Sequence, residues 1–153
     1  MAELNNLHID GTFKTPNVDF NHLTGELILT GKSIPENVAR IYEPLLEWAG
    51  EYIRNPCKTT NLRLNLEYFN TASTIWLAKL IKILSTINKP DHLLLVHLYV
   101  DSEDTDTLDE SEIKGIMGSL IDNIGVPSLT VGVRIYGVDE DGKVIRESQI
   151  FLG

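Results

Sequence analysis

Between Leu62 and Ile87 the chain changes its hydrophobic period, and that change restricts the fold more than any other feature. Leu62, Leu64, Leu66 and Tyr68 alternate with Arg63, Asn65, Glu67 and Phe69, the period of two that marks a β-strand. Asn70, Thr71, Ala72, Ser73 and Thr74 follow, a polar knot of the residue types that open helices. From Ile75 to Ile87 the apolar residues recur at helical spacing, with Lys79 and Lys82 on the polar side. A strand that runs directly into an apolar helix has to lay that helix back across a sheet.

The flanking segments repeat the alternation. Leu7 and Ile9 make a short apolar patch before Gly11, and Pro16 interrupts any long strand there. Val18, Phe20 and His22 alternate, Thr24-Gly25 turns the chain, and Glu26 to Thr30 returns, which predicts an N-terminal β-hairpin. Ser33-Ile34-Pro35-Glu36 fits the S-x-x-E capping box ahead of a helix with Val38, Ile41, Leu45, Trp48 and Tyr52 on one side. Pro44 inside this helix predicts a kink or a break into two pieces. Leu93 to Val100 is an almost unbroken apolar run, as in a strand with parallel neighbours and both faces covered. Thr107 with Glu110 forms a second capping box, and Ile113 to Ile124 reads as an amphipathic helix stopped by Gly125 and Pro127. Leu129 to Tyr136 and Val144 to Leu152, joined by Asp139-Glu140-Asp141-Gly142, read as a closing hairpin. The order β-β-α-β-α-β-α-β-β predicts one α/β domain over 1–153, with a mixed central sheet, helices, and antiparallel hairpins at both ends.

Composition narrows the function classes. With 13 basic and 22 acidic residues the net charge is −9, which disfavours nucleic acid and anionic membrane as principal partners. The longest apolar runs fall short of a transmembrane helix and the N-terminus lacks the pattern of a signal peptide, so a cytoplasmic location is the expectation. Cys57 is the single cysteine and reads as a solitary thiol ahead of a strand. Gly31-Lys32-Ser33 lacks the upstream glycine of a P-loop. His8, His22, His92 and His97 are scattered, and a zinc set is not expected even if His8 and His22 meet across a hairpin; His97, inside an apolar strand, reads as a core or sheet-face residue. Asp101, Glu103, Asp109 and Glu112 fall on calcium-loop positions, but Thr105 and Asp106 stand where that loop needs a ligand and a glycine. No metal and no cofactor are expected. Glu67 and Asn65 lack the base–nucleophile–orienter set that catalysis requires.

The hydroxyls at Thr71, Ser73 and Thr74 carry the remaining signal. Helix starts are ordinarily capped by such residues. The helices starting near Ser33 and Thr107 each place a Glu three residues on, whereas this one places Ser73 or Thr74 there. Its N-terminal partial charge is left for another anion, and a phosphate on a hydroxyl suits that place.

The same residues resemble a known family. Tyr68-Phe69-Asn70-Thr71-Ala72-Ser73 before an apolar helix is similar to the L-x-Y-x-N-T-[SA]-S segment of the SiaC-type bacterial regulatory phosphoproteins. Ser33-Ile34-Pro35-Glu36-Asn37 resembles that family's Y-P-E-N segment, with Ile34 in place of the aromatic, and Leu7-His8-Ile9-x-Gly11-Thr12-x-x-Thr15-Pro16 is also similar. The likeness covers about residues 7–125 and leaves a C-terminal hairpin, 128–153, as an extension. It implies a fold like the STAS domains of anti-anti-sigma factors, with no catalytic activity of the chain's own. It also implies phosphorylation at Thr71 by a Ser/Thr kinase, reversed by a metal-dependent Ser/Thr phosphatase. The unphosphorylated form would bind and activate a diguanylate cyclase, raising cyclic di-GMP and favouring biofilm. Asn70, Ala72 and Ser73 would form the docking turn, supported by Glu67, Tyr68 and Thr74. Two other readings stand beside it: a module of the same fold sensing a nucleotide or other anion at the Thr71 turn, and a small α/β enzyme using Glu67 and Thr71.

Overall fold

The computed structural model describes residues 4–101, 118, 124 and 127–152. Seven strands form one sheet in the order of the chain: β1 (Leu7–Ile9), β2 (Asn17–Asn21), β3 (Glu26–Ser33), β4 (Thr59–Phe69), β5 (Leu93–Asp101), β6 (Thr130–Val138) and β7 (Val144–Leu152). β1, β2 and β3 pair antiparallel, β3 to β6 run parallel, and β7 returns antiparallel on β6. Two helices, α1 (Val38–Tyr52) and α2 (Thr71–Ser85), make the crossovers from β3 to β4 and from β4 to β5. A sheet whose strands advance steadily in one direction through right-handed crossovers receives its helices on one face, and α1 and α2 pack against each other there.

That face is the core. Phe20, Leu27 and Leu62 sit side by side across three strands, as do Val18, Leu29, Leu64 and Leu98, and then Val96 with Val133 and Leu94 with Val131. All are buried. Tyr42, Leu45, Ala49 and Tyr52 of α1 and Leu77, Leu80, Ile81 and Leu84 of α2 close over them. The period-two and period-3.6 stripes thus meet on one surface, which is what makes both patterns stable. The opposite face carries Asp19, Ile28, Arg63, His97 and Arg134 in one register row.

The structure corrects several expectations. A third N-terminal strand, β1, uses Leu7 and Ile9 and joins the hairpin. Ser33 does not cap α1. It is the last residue of β3 and buried, and the cap is Asn37, whose side chain accepts from the Arg40 N–H. Ile34 and Pro35 lie between β3 and α1, in neither element, and a residue before proline is disfavoured in the helical conformation that an S-x-x-E cap would need to lead into. Pro44 lies within an uninterrupted α1. Its ring is exposed, so the carbonyl it leaves without a helical donor is at the solvated side of the helix. Most of the helix expected after Thr107 and most of the calcium-like loop lie outside the described residues. Cys57 is half-buried and donates weakly to the His22 and Leu23 carbonyls.

Candidate functional site

The Thr71 turn is built where three segments end together. β3 and β4 pair residue for residue from Glu26↔Asn61 to Gly31↔Leu66, and then the register shifts between Gly31 and Lys32, so that Lys32 stands opposite Tyr68 and Ser33 opposite Phe69. The extra residue is in β4. Gly31 adopts φ +99 there, a conformation glycine enters without strain. The shift brings the Asn70 N–H onto the Ser33 carbonyl at 3.0 Å. The loop before β2 is laced to the same end, its Lys14 carbonyl accepting from the Ile34 N–H at 2.9 Å.

Asn70 is the α2 cap, in extended conformation, and its side-chain oxygen accepts from the Ser73 N–H at 2.8 Å. The three hydroxyls then part company. Ser73 is completely buried and donates to the Ser33 carbonyl at 2.8 Å. Thr74 is half-buried and donates to the Asn70 carbonyl at 3.1 Å. Thr71, the first helical residue, is exposed, and its hydroxyl bonds to none of the described residues. The backbone N–H groups of Thr71 and Ala72, in the first turn, have no helical acceptor. No acidic residue lies in this turn, so the partial positive charge of the helix end meets no internal carboxylate.

The two described helix starts are alike in one respect that the sequence did not suggest. α1 also lacks an acidic residue in its first turn, because it opens at Asn37 and not at Ser33. α2 is therefore not set apart from α1 by a missing carboxylate. What distinguishes it is an exposed hydroxyl at the first helical position, among neighbours that are all engaged.

Around the turn, Ile75 lies one helical turn on from Thr71 and is 55% exposed, on the same helix face. Trp76 beside it is half-buried, stacks on Tyr42 with ring centroids 6.5 Å apart, and carries the Lys79 ammonium 4.3 Å from its own ring centre. Glu67 is exposed and its carboxylate lies 4.0 Å from the Lys32 ammonium. Lys32 in turn sits 4.6 Å from the ring centre of Phe13, which is 80% exposed. Glu67 is thus paired with Lys32. Tyr68 is placed by its register alone, opposite Lys32. Ala72 is half-buried.

Sequence reasoning missed Ser33 and Tyr42 as parts of this site. The Ser33 hydroxyl donates to Ser73 at 2.8 Å, so at the 2.5 Å contact with Tyr42 the phenol is the donor. Burial pushes the Tyr42 phenol above its usual range, and the Ser33 and Ser73 hydroxyls beside it act the other way. A buried serine closing a strand was the signal available, and the S-x-x-E pattern concealed it. Elsewhere, His97 is buried as expected, between the Tyr136 hydroxyl at 2.7 Å and the Asn61 side-chain oxygen at 2.8 Å. His8 stands opposite Asp19 in the register of β1 and β2 and bonds to Asp10. Among the described residues, no group of three or more His, Cys, Asp or Glu side chains comes together, and no helix is long and apolar enough to cross a membrane.

Known proteins resemble this chain in sequence and in fold. The model of the SiaC family of regulatory phosphoproteins matches residues 9–114. An uncharacterised protein of Pseudomonas aeruginosa (strain UCBPP-PA14) is 31% identical over 70 residues, 46% of this chain. The match spans 56% of that relative, a little over half its length. Apo-SiaC of Pseudomonas aeruginosa superposes with a TM-score of 0.61 at 20% identity, covering 83% of this chain and 98% of that one. SiaC from the complex in which it is the activator of the diguanylate cyclase SiaD gives 0.63 at 20% identity, over 82% and 97%. At such identities the superpositions speak for the fold.

Proposed function

Because the chain belongs to the SiaC family of regulatory phosphoproteins, we propose that it is a phospho-switch with Thr71 as the modified residue. The observation that carries this reading is the exposed, unbonded Thr71 hydroxyl at the first position of α2, beside two hydroxyls that are engaged. A kinase needs an acceptor oxygen it can reach. A phosphate placed there gains the free N–H groups and dipole of the helix end. It also brings about −1.5 to −2 charges to the turn.

The unmodified turn is the docking surface. Ile75, exposed beside Thr71, supplies an apolar contact that a partner can desolvate. A phosphate on Thr71 would have to be desolvated or avoided by that partner, so phosphorylation releases it. The partner proposed is a diguanylate cyclase, since SiaC is the activator of one. A Ser/Thr kinase and a metal-dependent Ser/Thr phosphatase set the phosphorylation state, and cyclic di-GMP and biofilm are the output. The chain acts through binding and carries no reaction of its own.

Phosphopeptide mapping of the protein after co-expression with its kinase is the direct test. Phosphate on Thr71, lost in Thr71→Ala, is the expected result. A Thr71→Ala protein still fully phosphorylated would overturn the assignment.

A further inference from the structure

Three hydroxyls beneath the Thr71 turn form a closed chain. The Tyr42 phenol on α1 donates to Ser33 Oγ, Ser33 Oγ donates to Ser73 Oγ, and Ser73 Oγ donates to the Ser33 carbonyl. Ser33 and Ser73 have no exposed surface, and neither has Tyr42. Every proton in the chain has one acceptor, so its direction is fixed. The Ser33 carbonyl also accepts the Asn70 N–H, which ties the cap residue and the third helical residue to the same strand end.

From this geometry we propose that Ser33 and Tyr42 are positioning residues that select Thr71, and not Ser73, as the phosphate acceptor. The inference rests on the phospho-switch reading and deepens it. Asn70-Thr71-Ala72-Ser73 offers two hydroxyls two residues apart, and a kinase docked on the turn passes close to both. Ser73 is withheld because its oxygen lies inward, donates its proton to a backbone carbonyl and receives one from Ser33. Reaching it requires breaking both bonds and unwinding the first turn. The same bonds keep that turn helical, and this holds Thr71 outward. α1 contributes through Tyr42, whose bond keeps the Ser33 hydroxyl aimed at Ser73. With Ser33 reduced to alanine, Ser73 loses its donor and Tyr42 its acceptor, both in a buried space, so the turn opens more readily.

The test is phosphosite mapping by mass spectrometry on three proteins expressed in the native host: wild type, Ser33→Ala and Tyr42→Phe. Hydrogen–deuterium exchange across 70–74 reports on the turn itself. Wild type is expected to carry phosphate at Thr71 with none at Ser73. Ser33→Ala is expected to lose at least five-fold in Thr71 occupancy, to gain phosphate at Ser73, and to exchange faster across the turn. Tyr42→Phe keeps the ring that stacks on Trp76 and removes only the phenol proton, so it folds even if Ser33→Ala does not, and it shifts the Thr71-to-Ser73 ratio in the same direction by a smaller factor. An equal site distribution in wild type and in Tyr42→Phe, or in folded Ser33→Ala, overturns the selection role while leaving Thr71 as the switch. Wild-type protein with no phosphate on Thr71 overturns the switch, and the selection role with it.

Discussion

At the scale of single residues, α2 shows how similar side chains acquire different tasks from their angular positions. Thr71 and Ser73 are two residues apart, about 200° around the helix, so one faces water and the other faces β3. Asn70 contributes through its side-chain oxygen on the Ser73 N–H. Asn70→Ala removes that acceptor and is expected to lower stability by about 1 kcal/mol, a fall in Tm of roughly 2–4 °C in a chain of this size, measurable by calorimetry. Thr71→Ala removes no bond to a described residue and should melt within about 2 °C of wild type, since surface substitutions of this kind stay within about ±0.5 kcal/mol. A large loss of stability in Thr71→Ala would show that the hydroxyl has a structural task. Thr71→Asp supplies about one charge where a phosphate supplies −1.5 to −2, so in a pull-down with the partner it should fall between wild type and the phosphorylated protein.

At the scale of elements, the turns and register shifts set what the strands present. Gly25 closes the β2–β3 hairpin at φ +76, and a Cβ there would stand 2.4 Å from the Thr59 carbonyl oxygen. Its own carbonyl accepts the Asn61 N–H at 2.8 Å, which starts the β3–β4 pairing. Gly25→Ala therefore meets both a disfavoured backbone conformation and a backbone clash. The expected loss is at least about 1–2 kcal/mol, read as a lower midpoint in urea, and an unchanged midpoint would contradict the geometry. This hairpin was legible in the sequence, because Thr24-Gly25 between two alternating runs is a turn with a mechanism. So were β4 and α2, each long and strongly periodic, and β5, an almost unbroken apolar run. Ser33 was not legible: S-x-x-E describes a local pattern, and whether the serine closes a strand or opens a helix depends on the Ile34-Pro35 backbone and on Tyr42, nine residues on. The register shift before Thr71 was equally hidden, since it belongs to the pairing of two strands and leaves no mark on the period of either up to Leu66. Position of Thr71 at a helix start could be read from the chain; the engagement of its neighbours could not.

At the scale of the whole molecule, one sheet face is covered by α1 and α2 and the other carries a polar network that is internally satisfied. Arg63 donates to both Glu26 oxygens, at 2.8 and 3.3 Å, and to the Tyr99 hydroxyl at 2.9 Å, while Tyr99 stacks on Tyr136 and Tyr136 on His97. His97 is held neutral here. Burial lowers its pKa to about 4, the Arg63 and Arg134 charges push the same way, and Glu26 opposes them. With Nε2–H given to the Asn61 oxygen, Nδ1 is left to accept the Tyr136 proton, and protonation there would deprive that hydroxyl of its acceptor. The unfolded chain binds this proton at about pH 6.5 and the folded one only near pH 4, so between those values the unfolded state holds more protons and stability rises with pH. The contribution is complete above about pH 6.5 and is lost as the pH falls toward 4. Integrated over that window it reaches the order of 3 kcal/mol. Thermal melts from pH 7.5 down to 5 should therefore show a Tm that stays level to about pH 6.5 and then drops with acidification, in a range where most carboxylates remain ionised. His97→Gln keeps a polar side chain between Asn61 and Tyr136 but has no proton to gain. It should start from a lower Tm at pH 7.5 and show a much flatter fall to pH 5. A variant with the full wild-type slope would mean that His97 is already able to charge in the folded protein.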